Sequence, residues 1–242
     1  MMVQTTARPL TLITGANRGL GHHLARLLAA AGSDLLLVCR RPLSPDQRAA
    51  LQGGGQAVVE LACDLRDPQA LAAGLRPLLE ARPLHCAINN AGVFSQQEEL
   101  GLSGLAIGDI IDMTSVNATA PAVISALVQD KLQPGGVLVN VLSDMAFPQT
   151  WNGSYPLYCA TKAFLWALTV NSATALEARG AKVIGLDPGW MKTDMGGDEA
   201  PDDPVEVARG LLSLLAAPQR LDNGRVYGLS DFAEASAMAA EA

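Results

Sequence analysis

Tyr158 and Lys162, four residues apart, are the pair in this sequence best suited to moving a proton. On a helix, side chains at this spacing lie on the same face, so the phenol and the ammonium can share one site. A free tyrosine has a pKa of about 10 and is a poor base at neutral pH, but a nearby lysine charge favours the phenolate and lowers that pKa. The spacing therefore predicts a tyrosine acid–base group assisted by lysine. A chance surface pair is the alternative.

A glycine-rich segment, residues 15–21 (GANRGLG), follows a short apolar run and precedes a helical pattern. We expect Gly15 to permit a tight turn, Gly19 to let the backbone approach a pyrophosphate, and Gly21 to allow close packing of helix and strand. Free N–H groups and the helix dipole favour an anion at the helix N-terminus. Because strand and helix flank the glycines in the right order, the segment predicts a dinucleotide-binding loop rather than a plain turn.

The end of the second apolar run, where Arg40 and Arg41 follow Cys39, indicates whether the dinucleotide is NAD(H) or NADP(H). Enzymes that use NAD commonly place a carboxylate there to bind the ribose 2′-hydroxyl. A guanidinium suits a phosphate instead, and Arg18 in the glycine-rich segment adds another cation. The pattern favours NADP(H) over NAD(H), unless Arg40 and Arg41 are simply solvated surface charges.

The elements that must position these residues alternate along the chain. Apolar runs typical of buried strands occur at Leu10–Thr14, Asp34–Cys39, Ala57–Ala62, His85–Asn89, Gly136–Leu142, Lys182–Leu186 and Gly224–Gly228. Helical patterns occur at Leu20–Ala31, Pro68–Leu79, Leu105–Leu132, Tyr158–Arg179 and Val205–Ala217. Continuous apolar strands separated by helices predict an α/β fold, a Rossmann-like doubly wound parallel sheet with helices on both faces. With no linker or repeat in the sequence, we expect a single domain over residues 1–242.

Composition narrows the classes of function. The chain has 242 residues, 49% of them apolar, with 17 Lys+Arg against 24 Asp+Glu and a net charge of −7. An acidic chain without a basic cluster is a poor nucleic-acid binder. No apolar stretch approaches about 18 residues and the N-terminus lacks a secretory pattern, so we expect no membrane span and a cytoplasmic location. Four scattered cysteines and three histidines predict buried thiols in a reducing compartment and no metal site.

Several motifs together resemble the short-chain dehydrogenase/reductase family. They are the G-x-x-x-G-x-G spacing of residues 15–21, Asn89-Asn90-Ala91-Gly92 after the fourth strand, and Tyr158 with Lys162. They stand in the family's order at the expected strand ends, and the resemblance covers almost the whole chain. Residues 188–197 (PGWMKTDMGG) are similar to the branch that contains the C-factor signalling protein and the sniffer-type carbonyl reductases.

The resemblance implies a reaction and four catalytic residues. NADPH would reduce a ketone or aldehyde, or NADP⁺ would oxidise the corresponding alcohol, with Tyr158 exchanging the proton of the substrate oxygen. Lys162 would lower the tyrosine pKa and hold the ribose. Ser143, three residues after Asn140, would orient the carbonyl, and Asn117 would help to hold a water in a proton relay.

The resemblance also implies a set of cofactor contacts. Asp64 and Leu65 match the adenine contact, Asn90 the ribose, and Met191 and Thr193 the nicotinamide carboxamide and the phosphates. The full expected set is Gly15, Asn17, Arg18, Gly19, Leu20, Gly21, Arg40, Asp64, Leu65, Asn90, Ala91, Gly92, Tyr158, Lys162, Pro188, Gly189, Met191 and Thr193.

Alternatives remain open. The C-factor branch admits a dinucleotide-binding signalling or sensor protein with little turnover, and the same scaffold could serve a dehalogenase or an epimerase. Two residues depart from the family pattern: Asp144, after Ser143, puts an extra carboxylate near the mouth of the site, and Asp187 stands where this branch often has histidine. The resemblance implies a homodimer or homotetramer with the helix that begins at Tyr158 in an interface, and a small carbonyl or alcohol as the substrate.

Overall fold

A computed structural model describes residues 8–232, apart from the side chains of Leu100 and Leu102, and contains one seven-stranded parallel sheet. The strands are β1 Leu10–Thr14, β2 Asp34–Cys39, β3 Val58–Ala62, β4 Leu84–Asn89, β5 Leu132–Val141, β6 Lys182–Leu186 and β7 Val226–Tyr227. Their order is β3-β2-β1-β4-β5-β6-β7. The reversal of strand order between β1 and β4 is the switch point where doubly wound sheets bind ligands. The predicted fold class is confirmed.

Helices cover both faces of the sheet. They are α1 Gly19–Ala30, α2 Pro45–Gln52, α3 Pro68–Leu79, α4 Ile107–Thr114, α5 Ala120–Val128, α6 Pro156–Glu177 and α7 Pro204–Leu215. Successive strand residues point to opposite faces: Ile13 of β1 packs with α1, α2 and α7, whereas its neighbour Leu12 packs with α3, α5 and α6. Two apolar cores result, and both faces of every central strand are buried.

The predicted helix over residues 105–132 is observed over Ile107–Val128, so it ends before Leu132, and it contains a π turn. A π-helical turn at Ser115–Thr119 separates α4 from α5, and β5 already begins at Leu132, opposite Leu84 of β4. A π turn widens the helix locally and is frequent at functional sites. Here it holds Asn117, whose side chain bonds across to the backbone of Val93.

Sequence reading missed α2, although its start carries a clear signal. Ser44 and Gln47 form a reciprocal capping box in front of a Pro at the first helical position. Only Leu51 of α2 is buried, so the apolar periodicity that reveals a core helix is weak there. The ends of the remaining predicted helices lie within two residues of the observed ones.

Within residues 8–232, the helical segment Ile107–Val128 is long and apolar enough to span a membrane. In this structure it comprises α4, the π turn and α5. Ile124 and Val128 pack with β4 and β5 in the core. We interpret the segment as a core element of the α/β fold, because core helices meet the same length and composition criteria.

Candidate active site

The predicted site residues converge on one cavity of about 1160 Å³ at the carboxyl ends of the strands. The turns after β1, β2, β3, β4, β5 and β6 line it, together with the first part of α6. Every predicted catalytic or cofactor residue except Gly21 and Asn117 lines this cavity. The structure therefore brings together residues that lie between positions 15 and 196 of the sequence.

The glycine-rich turn is shaped as its glycines predict. Gly15 and Gly19 have φ values of +69° and +53°, in the left-handed region that other residues avoid. A Cβ on Gly21 would lie 2.4 Å from the Gly15 carbonyl oxygen, so this glycine packs behind the turn instead of lining the cavity. At the start of α1, Arg18 makes no capping hydrogen bond with its side chain. The first N–H groups of α1 are thus left for an anion in the cavity.

Asn90 connects two turns of the cavity through hydrogen bonds, a structural role that the sequence alone does not indicate. Its side-chain Nδ2 donates to the carbonyl oxygens of Thr14 (2.9 Å) and Gly15 (3.3 Å). In return, the backbone N–H groups of Asn90 and Ala91 donate to Thr14 Oγ1 at 3.0 and 2.9 Å. Thr14 and Asn90 therefore tie the turn after β1 to the turn after β4, and fix the floor of the cavity.

Arginines surround the part of the cavity near the end of β2. Arg40 and Arg41 are exposed, and among the described residues neither has a hydrogen bond or an ion pair. Arg18 instead pairs with Asp194 across the cleft at 2.8 Å. The carboxylate of Asp64 is held by Arg66 at 2.6 Å, and that hydrogen bond lowers the pKa of Asp64. The guanidinium groups after β2 are thus available to a phosphate.

Lys162 is 4% exposed, and its Nζ donates to the carbonyl oxygen of Val141 at 2.9 Å. The same Nζ lies 5.6 Å from the centroid of the Tyr158 ring. Burial lowers the pKa of Lys162 to about 8, against the opposing charge of Asp187. The two groups of the predicted pair do share one site.

The expected direction of the tyrosine pKa is wrong in this structure. Burial raises the pKa of Tyr158, and the negative charges of Asp144 and Asp187 raise it further. The spacing predicts that the charge of Lys162 lowers the pKa of Tyr158, but this effect does not outweigh burial and the two carboxylates. Tyr158 is therefore a neutral phenol at neutral pH, which is the form that donates a proton.

Ser143 lies at the end of β5 and faces the cavity. Its hydroxyl donates to Asp144 Oδ1 at 2.9 Å and accepts from the backbone N–H of Met145 at 3.2 Å. Its proton is thus engaged by Asp144, the carboxylate that departs from the family pattern. A rotation about one side-chain bond would turn that proton toward a substrate oxygen in the cavity.

Asn117 does not reach the cavity surface. It is fully buried, with Oδ1 accepting from Val93 N and Nδ2 donating to Val93 O, both at 2.8 Å. A Cβ on Gly92 would lie 3.6 Å from Asn117 Oδ1 and 3.9 Å from Lys162 Nζ. Asn117 therefore clamps the segment after β4 beside the lysine, and its part in a water relay stays a prediction.

The turn after β6 closes the cavity. Gly189 has a φ of +70°, and a Cβ there would lie 2.5 Å from Asp202 Oδ2. That same oxygen accepts from the backbone N–H of Trp190 at 2.9 Å, and Met191 forms a β-bridge with Asp202. Asp202 holds this turn in place, although nothing in the local sequence marked it.

A buried polar chain links the sheet to α6 beneath the site. Asn89 Nδ2 donates to Asn140 Oδ1 at 2.8 Å, and Asn140 Nδ2 donates to Thr169 Oγ1 at 2.9 Å. All three residues are at most 2% exposed. The chain fixes β4, β5 and α6, which carry the Asn90 turn, Ser143 and Tyr158 respectively.

Comparisons with known proteins agree with this geometry. A family model described as short chain dehydrogenase matches residues 9–204. The chain is 29% identical to the uncharacterized oxidoreductase DltE of Bacillus subtilis (91% of this chain, 90% of the relative). It is 31% identical to gluconate 5-dehydrogenase of Gluconobacter oxydans (76% and 72%). A Burkholderia cenocepacia short chain dehydrogenase solved in complex with NADP is 27% identical, with a TM-score of 0.79 over 91% of this chain and 95% of that one.

Proposed function

Because this chain belongs to the short-chain dehydrogenase family, we propose that it is an NADP(H)-dependent oxidoreductase. It reduces a ketone or aldehyde, or oxidises the corresponding alcohol, with Tyr158 as general acid and base. One observation carries the proposal: Tyr158, Lys162 and Ser143 face the same cavity as the glycine-rich turn and the exposed Arg40 and Arg41. The narrower resemblance to the C-factor and sniffer-type branch remains part of the proposal.

The residues present fit a nicotinamide dinucleotide phosphate. The turn at residues 15–19 and the uncapped start of α1 suit a pyrophosphate. Arg40 and Arg41 suit a 2′-phosphate, because guanidinium matches phosphate geometry. When bound, the dinucleotide supplies or accepts the hydride. The NADP complex of the Burkholderia cenocepacia relative supports this cofactor.

Residues of the protein transfer the proton to and from the substrate oxygen. As a neutral phenol, Tyr158 donates its proton to the carbonyl oxygen as negative charge develops there, and takes one back in the reverse direction. Lys162, held against Val141, places a positive charge beneath the phenol and steadies the phenolate that remains. Ser143 contributes a second hydrogen bond to the same oxygen once its hydroxyl turns from Asp144.

The charge of the reaction site favours a neutral or cationic substrate over an anionic one. Asp144 and Asp187 are close enough to Tyr158 to raise its pKa, so both would repel a carboxylate or sulfonate beside the reacting carbonyl. Phe94, Tyr155 and Trp190 line the same cavity and offer aromatic surface to an apolar or cationic group.

The test is NADPH consumption by the purified protein over a panel of neutral ketones, aldehydes and quinones, with Tyr158→Phe in parallel. We expect turnover that Tyr158→Phe abolishes while NADPH still binds. NADPH binding without turnover across the panel would favour the sensor or signalling alternative. Absence of NADPH binding would refute the cofactor assignment and the mechanism with it.

We also propose a cytoplasmic homodimer or homotetramer. The four cysteines, all buried and unpaired, support a reducing compartment. Exposed apolar side chains on α4 and α6, with Ile107 77% exposed and Phe164 48% exposed, support a shared helical interface. The molar mass in solution, measured by light scattering, tests the assembly.

A further inference from the structure

The helix that carries Tyr158 and Lys162 begins in an unusual way. Its N-cap residue, Tyr155, has left-handed backbone angles (φ 53°, ψ 49°) and makes no capping hydrogen bond. Pro156 follows and has no N–H group. The first donors of α6 are therefore the backbone N–H groups of Leu157 and Tyr158. An N-cap Ser, Thr, Asp or Asn would normally accept from such groups, but the N-cap position is occupied by Tyr155, whose side chain makes no such bond.

Glu98 supplies the missing acceptor from a distant segment. Its carboxylate accepts from Leu157 N–H and from Tyr158 N–H, the second at 2.9 Å. The residue is 0% exposed and has no ion pair within residues 8–232. A buried charge without a counter-ion is costly unless hydrogen bonds compensate it. Here the helix N–H groups and the positive end of the helix dipole do so.

The segment around Glu98 joins the cofactor side of the cavity to the catalytic helix. It follows directly on Asn90–Gly92, and its neighbours Gln96 and Glu99 line the cavity. The ring of Phe94 stands edge-on to Tyr158, with centroids 5.3 Å apart. Backbone and ring of Tyr158 are thus both held by the stretch between β4 and α4.

We propose that Glu98 is a positioning residue: it fixes the first turn of α6 and thereby the place of the Tyr158 hydroxyl in the reaction site. The inference rests on the proposed function for its catalytic consequence, but not for its geometry. A change at Glu98 acts on Tyr158 through the backbone, so kcat should fall much more than cofactor affinity, because most of the expected cofactor contacts lie outside α6.

The experiment compares Glu98→Ala and Glu98→Gln with a matched control, Asp67→Ala. Asp67 also accepts from two backbone N–H groups, at the start of α3, away from Tyr158. We expect Glu98→Ala to lower kcat about 100-fold, the scale of a displacement of roughly 1 Å, with a much smaller change in the Kd for NADPH. The amide of Glu98→Gln can still accept, so kcat should recover to within about fivefold of the natural protein. Asp67→Ala should lose stability and keep its kcat.

A second readout needs no substrate. Ultraviolet absorbance at high pH follows phenolate formation, and subtraction of the Tyr158→Phe curve isolates Tyr158. Because burial raises the pKa of Tyr158, release of the helix start in Glu98→Ala should move its ionisation down toward about 10. If Glu98→Ala does not fold, Glu98→Asp, whose shorter side chain cannot reach both N–H groups, is titrated instead.

The outcomes distinguish a failure of the inference about Glu98 from a failure of the proposed function. A lost kcat and a shifted titration in Glu98→Ala, both absent in Asp67→Ala, support the inference. A Glu98→Ala protein that titrates and turns over like Asp67→Ala overturns it, as does a Glu98→Gln protein no better than Glu98→Ala. If the natural protein turns over no carbonyl, the proposed function fails, and the titration alone still decides whether Glu98 positions Tyr158.

Discussion

Replacing Asn140 with Leu should destabilise the protein without changing its surface. The Asn140 side chain accepts from Asn89 Nδ2 at 2.8 Å and donates to Thr169 Oγ1 at 2.9 Å, in full burial. Leucine has a similar volume but offers neither bond, so both partners lose a hydrogen bond in a place that water does not reach.

The expected loss of stability depends on the hydrogen bonds that Thr169 and Asn89 retain in the variant. Thr169 still donates to the Leu165 carbonyl at 2.8 Å, so it loses only an incoming bond. Asn89 Nδ2 keeps long contacts to Ser125 Oγ (3.4 Å) and Pro121 O (3.5 Å), which replace its lost acceptor poorly. An unsatisfied buried donor costs about 1–3 kcal/mol and a lost bond about 1 kcal/mol more. We therefore expect the free energy of unfolding to fall by about 2–4 kcal/mol, or the Tm by about 4–16 °C.

Urea unfolding followed by tryptophan fluorescence measures this change, with Asn171→Leu as the matched control. Asn171 lies on the exposed side of α6, where such a substitution shifts stability by about 0.5 kcal/mol at most. Thr169→Val in the Asn140→Leu background should cost less than it costs alone, since the shared bond is already gone. An Asn140→Leu protein that unfolds at the same urea concentration as the natural protein would refute the reasoning.

Four further predictions concern the site. Lys162 is charged below its pKa of about 8 and neutral above it, so kcat/KM for carbonyl reduction should fall about tenfold per unit at higher pH, as a pH–rate profile would show; a flat profile contradicts this. Arg40→Ala should raise the KM for NADPH about tenfold and leave that for NADH nearly unchanged in steady-state kinetics; equal changes would exclude a 2′-phosphate contact. NADP⁺ at about 100 times its Kd should stabilise the protein by about 2.7 kcal/mol in thermal unfolding, and NAD⁺ at the same concentration by less. Asp144→Asn should raise kcat/KM for a keto acid about fivefold relative to a neutral ketone, and an unchanged ratio would remove Asp144 from substrate selection.

The sequence alone predicts the sheet and the glycine-rich end of the cavity well, because both depend on short local sequence patterns. The run LTLIT predicts β1 with its observed ends, and all five residues are buried on the two faces of the sheet. The glycine spacing predicts a tight turn after β1, and Gly15 and Gly19 adopt left-handed backbone in that turn. These features depend on residues next to one another, so no knowledge of distant contacts is required.

What the sequence could not reveal depends on residues far apart in the chain. The need for a cap is visible at Tyr155 and Pro156, but nothing local identifies Glu98 as its source. The tyrosine pKa was expected to fall beside Lys162. It rises instead, because burial and the carboxylates of Asp144 and Asp187, in the turns after β5 and β6, act on the phenol. The combined effect of burial and neighbouring charges on a pKa can be worked out only once the fold is known.

The switch point of the sheet also determines when the cavity can exist during folding. Thr11 of β1 pairs with Cys86 of β4, although β2 and β3 lie between them in the chain. Closing so long a loop costs entropy before any contact repays it, and such non-local pairings are slow to form. The Thr14 and Asn90 contacts that build the cavity floor lie at the end of this same pairing. A growing chain therefore has no complete floor for a dinucleotide site until β4 has been synthesised and has paired with β1.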